Sequence, residues 1–182
     1  IAPSHGVIWR SQVQKMLDLY DRWAVCAPVR KVLVMYDTMW KSTEMMAEAI
    51  LAGAIAAGGP ALEAKLFHVR ATTGTRLATE MLDVAAFAAG SPTLNGTLMP
   101  AMADALTYLK GLRPAKKAGF AFGSYGWGRG GPEEVEQYLQ AMKVELLRPV
   151  LKLNYKPSPA GLAECREAGA LLARHALKVC PV

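Results

Sequence analysis

The sequence predicts an α/β fold: a doubly wound sheet of five parallel strands in the order 2-1-3-4-5, with helices on both faces. Strand-like and helix-like segments alternate five times, which favours a parallel sheet with crossover helices. The first strand-like run, residues 32–36, is apolar at every position, as is typical of a strand buried on both faces. Loops rich in hydroxyl groups or glycine follow the first, third and fourth strands. Because ligands of such sheets bind beyond the carboxyl ends of the strands, these loops predict a binding site.

Composition limits the classes of function. The chain has 182 residues, of which 52% are apolar, so it can form one domain with a substantial core. No apolar run approaches the ~20 residues that span a bilayer, so no membrane segment is predicted. The net charge of +6 comes from scattered residues, which predicts an acidic protein partner and no nucleic-acid partner. Cys26, Cys165 and Cys180 lack metal-ligand spacing and indicate inert thiols in a reducing, cytoplasmic setting.

The first half of the chain contains a leading helix, two strands and the helices around them. Apolar side chains at helical spacing over residues 13–23 predict the leading helix, and Pro28 separates it from the first strand. A second helical pattern covers residues 42–57 and stops at the Gly-Gly-Pro that follows. Residues 62–69 predict the second strand, and a short helix is expected over residues 75–82.

The second half continues this alternation. Pro132 followed by two glutamates is a typical helix start. Pro149 falls within the fifth strand, and because proline cannot donate to a strand ladder it indicates an edge position or a bend. The predicted elements are a strand at 84–90, a helix over 99–109, a strand at 118–123, a helix from Pro132, a strand at 146–155 and a last helix after Pro159.

The loop after the first strand has the chemistry of an anion site. Thr38, Ser42 and Thr43 place three hydroxyl groups at a predicted helix N-terminus, where backbone N–H groups lack helical acceptors and the dipole is positive. Neither the Gly-x-x-x-x-Gly-Lys-Ser/Thr pattern of nucleoside triphosphate loops nor the Gly-x-Gly-x-x-Gly pattern of dinucleotide sites occurs here. The loop therefore predicts a site for a terminal monophosphate. A simpler interpretation stays open, in which Ser42 or Thr43 only caps the helix.

Several short segments resemble a known family. Thr-Met-Trp-Lys-Ser-Thr at 38–43 resembles the phosphate loop of flavodoxins. Three segments are similar to the three flavin-binding loops of flavodiiron proteins (A-type flavoproteins). They are Tyr-Asp-Thr-Met-Trp at 36–40, Ser-Pro-Thr-Leu-Asn at 91–95 and Phe-Gly-Ser-Tyr-Gly-Trp at 122–127. Residues 3–10 are similar to the end of their metallo-β-lactamase-like diiron domain. The resemblance covers essentially the whole chain and implies a flavodoxin-like fold that binds FMN.

The resemblance also implies which residues bind FMN. In the first loop, hydroxyl groups and amides would hold the phosphate, with Lys41 and Arg129 either softening its charge or lying in solvent. The second loop would meet the pyrimidine edge of the isoalloxazine ring, although its Asn-Gly pair is also a common turn. Trp127 is the candidate stacking partner, and Trp40 would shield the ribityl chain or face a neighbouring subunit. The expected cofactor-binding residues are Thr38, Met39, Trp40, Lys41, Ser42, Thr43, Ser91, Pro92, Thr93, Leu94, Asn95, Ser124, Tyr125, Gly126, Trp127, Gly128 and Gly130.

The resemblance further divides the chain into two parts. Residues 1–28 are expected to be a remnant of the preceding diiron domain with a linker helix, and residues 29–182 the FMN-binding domain. His5 matches the last iron ligand of the family, but its partner motifs are missing, so no metal is predicted in this chain. Thr93 and Leu94 stand where flavodoxins often carry an aromatic residue, which leaves that face of the ring for a neighbouring subunit. No side chain is expected to be catalytic.

The implied function is electron transfer within an oxidoreductase that reduces oxygen or nitric oxide. FMN would receive electrons from an acidic donor such as rubredoxin and pass them to a diiron centre of the same or a neighbouring subunit. A head-to-tail homodimer, or a homotetramer, is the implied assembly. Two alternatives stay open: a free-standing FMN-dependent NAD(P)H quinone or nitro reductase of the same fold, and a module that has lost FMN. The intact hydroxyl loop argues against the second.

Overall fold

A single parallel sheet organises the chain. The structure, a computed structural model, describes residues 1–180. Two short 3₁₀ turns, Gly59–Ala61 and Val69–Ala71, flank the second strand. The helices and strands are α1 (Val13–Ala24), β1 (Val29–Tyr36), α2 (Ser42–Gly58), β2 (Glu63–His68), α3 (Gly74–Met81), β3 (Val84–Gly90), α4 (Pro100–Leu112), β4 (Ala118–Tyr125), α5 (Gly131–Ala141), β5 (Glu145–Leu146), β6 (Leu151–Asn154) and α6 (Pro159–Val179).

The strand order is β2-β1-β3-β4-β5, as predicted, and every pairing is parallel. The expectation of one continuous fifth strand over residues 146–155 is wrong. That stretch forms β5 and β6, which pair in turn with the two ends of β4. Pro149 lies between them, and because it has no N–H to donate, the ladder is interrupted there. The predicted bend is therefore confirmed.

The core has two layers because the central strands are buried on both faces. Val32 and Val34 of β1 point towards α2 and α6, whereas Leu33 and Met35 point towards the layer formed with α3, α4 and α5. β3 contributes four alanines around one phenylalanine, and its small side chains let helices approach the sheet closely. Helices therefore cover both faces, as the apolar runs predicted.

Close contact with α6 fixes the position of α2. A Cβ atom on Gly53 would lie 1.9 Å from the Arg166 carbonyl oxygen, and one on Gly169 would lie 1.8 Å from the Ile50 carbonyl oxygen. The two backbones therefore touch, which only glycine permits at such distances. This contact holds in place the helix whose N-terminus follows the first loop.

The leading helix α1 forms as predicted, but it contributes little to this core. None of its residues is buried, and apolar side chains such as Leu17 and Tyr20 are exposed. Within residues 1–180, no helix combines the length and the apolarity needed to cross a bilayer.

Candidate functional site

The three loops of interest meet at the carboxyl edge of the sheet. The first loop (residues 37–43) follows β1, the second (91–97) follows β3, and the third (124–131) leads from the end of β4 into α5. Together with the segment after β6 they enclose a cavity of about 380 Å³. The lining residues are Met39, Trp40, Ser42, Pro92, Thr93, Asn95, Gly96, Ser124, Tyr125, Gly126, Trp127, Gly128, Tyr155 and Lys156.

The N-terminus of α2 is built to receive an anion. The first backbone hydrogen bond of this turn runs from the Met45 amide to the Lys41 carbonyl oxygen, at 2.9 Å. The amides of the preceding residues therefore have no helical acceptor. The N-cap is Lys41, in the left-handed region at φ 66°, and no side chain among residues 1–180 caps the helix. The interpretation that Ser42 or Thr43 merely caps α2 is therefore wrong.

Two threonines of the first loop differ in their bonding. The Thr38 hydroxyl oxygen is buried and has no hydrogen-bond partner in the described part of the chain. Buried hydroxyl groups are nearly always paired, so this one calls for a partner from outside the chain, either water or a ligand. By contrast, Thr43 is fully buried and its hydroxyl lies 2.9 Å from that of Ser124. Thr43 thus joins the first loop to the third.

The second loop contains the turn that the Asn-Gly pair suggested. Leu94 and Thr97 exchange backbone hydrogen bonds of 2.9 and 3.0 Å around Asn95 and Gly96, which both have positive φ. Asn95 and Gly96 nevertheless line the cavity, so the turn places them there. Ser91 lies behind the loop, where its hydroxyl oxygen accepts from the Met99 amide at 2.8 Å.

The second and third loops are clamped to each other. The Thr93 hydroxyl oxygen accepts from the Gly131 amide at 3.1 Å. The Glu134 carboxylate on α5 accepts from the Leu98 amide at 3.1 Å and from the Thr97 hydroxyl. Gly130 has φ 132°, and a Cβ there would lie 2.0 Å from the Gly96 carbonyl oxygen. These bonds hold the two loops to each other.

Aromatic side chains form the outer wall. Trp127 is 95% exposed and Trp40 is 89% exposed, although both line the cavity. Tyr155 and Lys156 also line it and are not among the predicted site residues. They follow β6, so the rule that identified the other loops would have found them had it been applied to the fifth strand.

Six of the expected site residues do not line the cavity. Lys41 is exposed at the start of α2. Arg129, expected either near the phosphate or in solvent, lies over the Tyr125 ring with its guanidinium carbon 5.2 Å from the ring centroid. The six residues outside the lining are Thr38, Lys41, Thr43, Ser91, Leu94 and Gly130.

Sequence comparison assigns the fold to a known family. The family model for flavodoxin matches residues 34–169, which include all three loops. The chain belongs to the flavodoxin family. FMN is the cofactor of this family, so the expected family and cofactor are confirmed, whereas the roles of the individual loop residues stay predictions.

Curated relatives and solved structures extend this assignment. This flavodoxin domain is 41% identical over 174 residues to the nitric oxide reductase of Moorella thermoacetica, covering 95% of the chain and 43% of that protein. It is 34% identical to the anaerobic nitric oxide reductase flavorubredoxin of Escherichia coli O1:K1 / APEC, covering 96% of the chain and 36% of that protein. The chain therefore spans less than half the length of these relatives.

The structural neighbours agree. Rubredoxin oxygen:oxidoreductase from Desulfovibrio gigas superposes with a TM-score of 0.91 at 31% identity, over 99% of the chain and 45% of that protein. The flavodiiron protein from Giardia intestinalis superposes with a TM-score of 0.83 at 34% identity, over 97% of the chain and 44% of that protein. The domain thus corresponds to the flavodoxin-like part of flavodiiron proteins.

The donor set of the flavodoxin domain fits FMN. A phosphate monoester needs several donors at one point, and α2 offers amides without helical acceptors beside the unpaired Thr38 hydroxyl. A flavin ring needs flat apolar surface and backbone polar groups at its edge, and the cavity offers exposed Trp127 and the Asn95 turn.

Proposed function

We propose that this flavodoxin domain holds FMN in the cavity between its three loops and relays electrons to a diiron centre. The observation that carries the proposal is that the uncapped N-terminus of α2 and two exposed tryptophans lie at one cavity, next to the loop that holds the unpaired Thr38 hydroxyl. Bound FMN supplies the redox chemistry, since it takes up electrons singly or in pairs. The protein supplies position and electrostatics.

Each loop has its own role in this proposal. The first loop holds the phosphate through the Thr38 and Ser42 hydroxyl groups and through the amides of residues 39–43. The second loop places Asn95 and its neighbouring backbone groups against the polar edge of the ring, where hydrogen bonds tune the potential. In the third loop, Trp127 stacks on the ring and the glycines let backbone approach it. Ser91, Leu94 and Gly130 support these loops from behind.

The electron acceptor in this proposal is a diiron domain that reduces oxygen or nitric oxide, in the same or a neighbouring subunit of a homodimer or homotetramer. The names and greater lengths of the relatives support this assignment. Residues 1–28, including the exposed apolar residues of α1, would pack on that domain. The exposed Trp127 and Trp40 would face the acceptor.

The donor in this proposal is an acidic protein such as rubredoxin, acting in the cytoplasm. The net charge of +6 supports it, because complementary charge accelerates encounter. The second-order rate of flavin reduction by reduced rubredoxin is expected to fall steeply as ionic strength rises. A rate that is independent of salt would exclude an electrostatically guided donor.

Titration of the purified chain with FMN tests the main proposal. We expect quenching of flavin fluorescence with one equivalent bound. Failure to bind FMN would overturn the proposal and favour a module that has lost its flavin. Sustained NAD(P)H oxidation by the FMN-loaded chain with quinones or nitroaromatics, without a diiron partner, would instead indicate a free-standing reductase.

A further inference from the structure

A buried carboxylate lies directly behind the first loop. Asp37 follows the last residue of β1 and is fully buried. Its Oδ1 atom accepts from the Thr38 amide at 2.7 Å and from Arg70 Nε at 2.6 Å, and lies 3.3 Å from His68 Nε2. Its Oδ2 atom has no partner in residues 1–180. One oxygen thus takes all the contacts and the other none.

Arg70 connects this carboxylate to the loop backbone. It lies in the 3₁₀ turn after β2, and its Nη2 group donates to the Thr38 carbonyl oxygen while Nε donates to Asp37. The guanidinium therefore bridges two consecutive residues of the first loop. His68 is the last residue of β2 and directly precedes that turn. Its ring stacks on that of Tyr36, with the ring centroids 5.1 Å apart, and covers Asp37 from that side.

A negative charge at this place opposes the binding of a phosphate. The Asp37 carboxylate is one residue away from Thr38, and the Glu44 carboxylate stands in the first turn of α2. Unpaired carboxylates here would repel a phosphate dianion, and burial strengthens that repulsion. Neither Lys41 nor Arg129 is hydrogen-bonded to the loop as Arg70 is: Lys41 is exposed and Arg129 lies over Tyr125.

We propose that Arg70 is a positioning residue for the FMN phosphate. By neutralising Asp37 and holding the Thr38 carbonyl group, it keeps the first loop in the shape that presents its amides and removes the charge that would reject a phosphate. The inference rests on the proposed function, because it takes the first loop as the phosphate site. In this proposal the Arg70–Asp37 pair makes the domain prefer FMN over riboflavin, which has the same ring without the phosphate.

The test compares dissociation constants of FMN and riboflavin, measured by fluorescence quenching at low and high salt. In Arg70→Gln the ratio of the riboflavin constant to the FMN constant should fall about tenfold, with riboflavin binding itself unchanged. Asp37→Asn keeps an oxygen for Thr38 and Arg70 but removes the negative charge, so the ratio should rise about threefold at low salt. The double variant should lie within about threefold of the wild type.

Arg76→Gln is the matched control. Arg76 also pairs with a buried carboxylate, that of Glu80 at 2.7 Å, but lies on α3 and not at the loop. In this variant the ratio of the riboflavin constant to the FMN constant should equal that of the wild type. Equal loss of FMN and riboflavin affinity in Arg70→Gln, or an unchanged ratio, would overturn the inference. If Arg70→Gln does not fold, an Asp37→Asn ratio equal to the wild type overturns it. A wild-type chain that binds neither flavin would instead overturn the proposed function.

Discussion

Thr38 and Thr43 show how two equivalent residues in a motif acquire different roles in the structure. Both are threonines of the first loop, and both were expected to hold the phosphate. The Thr38 hydroxyl is left unpaired, whereas that of Thr43 meets Ser124, a residue 81 positions away. Residue type and spacing correctly placed both threonines at the junction between the first strand and α2. They could not predict this bond, because it depends on the order of the strands. β3 lies between β1 and β4, and this order brings the ends of β1 and β4 to one edge of the sheet.

Gly130 is the residue at which the loop clamp is most sensitive to substitution. Gly130→Ala should destabilise the domain by about 2 kcal/mol, because φ is positive and the new Cβ would meet the Gly96 carbonyl oxygen. FMN affinity should fall as well, since both clamped loops line the cavity. Thermal unfolding and FMN titration measure the two effects. Gly128→Ala is the control for stability, because nothing lies within 4 Å of its Cβ position; an equal loss of thermal stability in the two variants would contradict this explanation.

Substitution of Trp127 should weaken FMN binding without changing the stability of the domain. Because the side chain is almost fully exposed, Trp127→Ala should leave the melting temperature of the flavin-free domain unchanged. FMN affinity should fall about tenfold, since a ring stacked on the flavin is lost. Tyr20→Ala removes an exposed aromatic ring from α1, away from the cavity, and should change neither quantity. An unaltered FMN affinity in Trp127→Ala would exclude the stacking role.

At the scale of elements, the apolar patterns predicted the sheet because burial on both faces leaves a direct signature in sequence. Strands such as β1 and β3 have no polar position except at their ends. The fifth strand was less predictable, because β5 and β6 each pair with only a few residues of β4 and a proline separates them. The segment after β6 lines the cavity but was not predicted, because the rule about strand ends was not applied to the fifth strand.

The glycine contact between α2 and α6 gives a prediction at this scale. Gly169→Ala should destabilise the domain by roughly 2 kcal/mol, because the added Cβ would overlap the Ile50 carbonyl oxygen and force the helices apart. Gly111→Ala is the matched control on α4, where nothing lies within 4 Å. It should be neutral or stabilising by up to about 1 kcal/mol, since alanine favours helix. Urea unfolding measures both variants, and a Gly169→Ala domain as stable as Gly111→Ala would contradict the close packing.

At the scale of the whole molecule, a buried ionic cluster joins β1 and β2 to α3, on the face of the sheet opposite α2. Glu80 of α3 is buried and accepts from Lys31 of β1 at 3.2 Å and from Lys65 of β2 at 2.9 Å. Arg76 also lies 2.7 Å from its carboxylate. Burial by itself would raise the pKa of Glu80, but hydrogen bonds from Lys65 and Lys31 outweigh it and hold the pKa below its usual value.

This cluster makes the stability of the domain depend on pH in a definite direction. The folded pKa of Glu80 is lower than the unfolded one, so the unfolded chain binds its proton more tightly. The stabilisation is therefore fully present above the ordinary pKa of 4.5 and is lost as pH falls through the folded value. Removing only the charge of Glu80, by substitution, should therefore produce the same loss of stability at neutral pH.

Glu80→Gln should accordingly lower the free energy of unfolding at pH 7 by about 2 kcal/mol, because it removes the more deeply buried of the two carboxylates that pair with Lys31 and leaves only that of Asp83. The difference from the wild type should narrow as pH falls below 4.5 and through the lowered pKa of the folded wild-type carboxylate. Urea unfolding across this range measures it. Glu164→Gln breaks the exposed pair with Arg148 and should change stability by less than about 1 kcal/mol at any pH. A Glu80→Gln deficit that does not narrow in acid, down to the pH at which the wild type itself unfolds, would mean that lost packing, and not the charge of Glu80, accounts for the stabilisation.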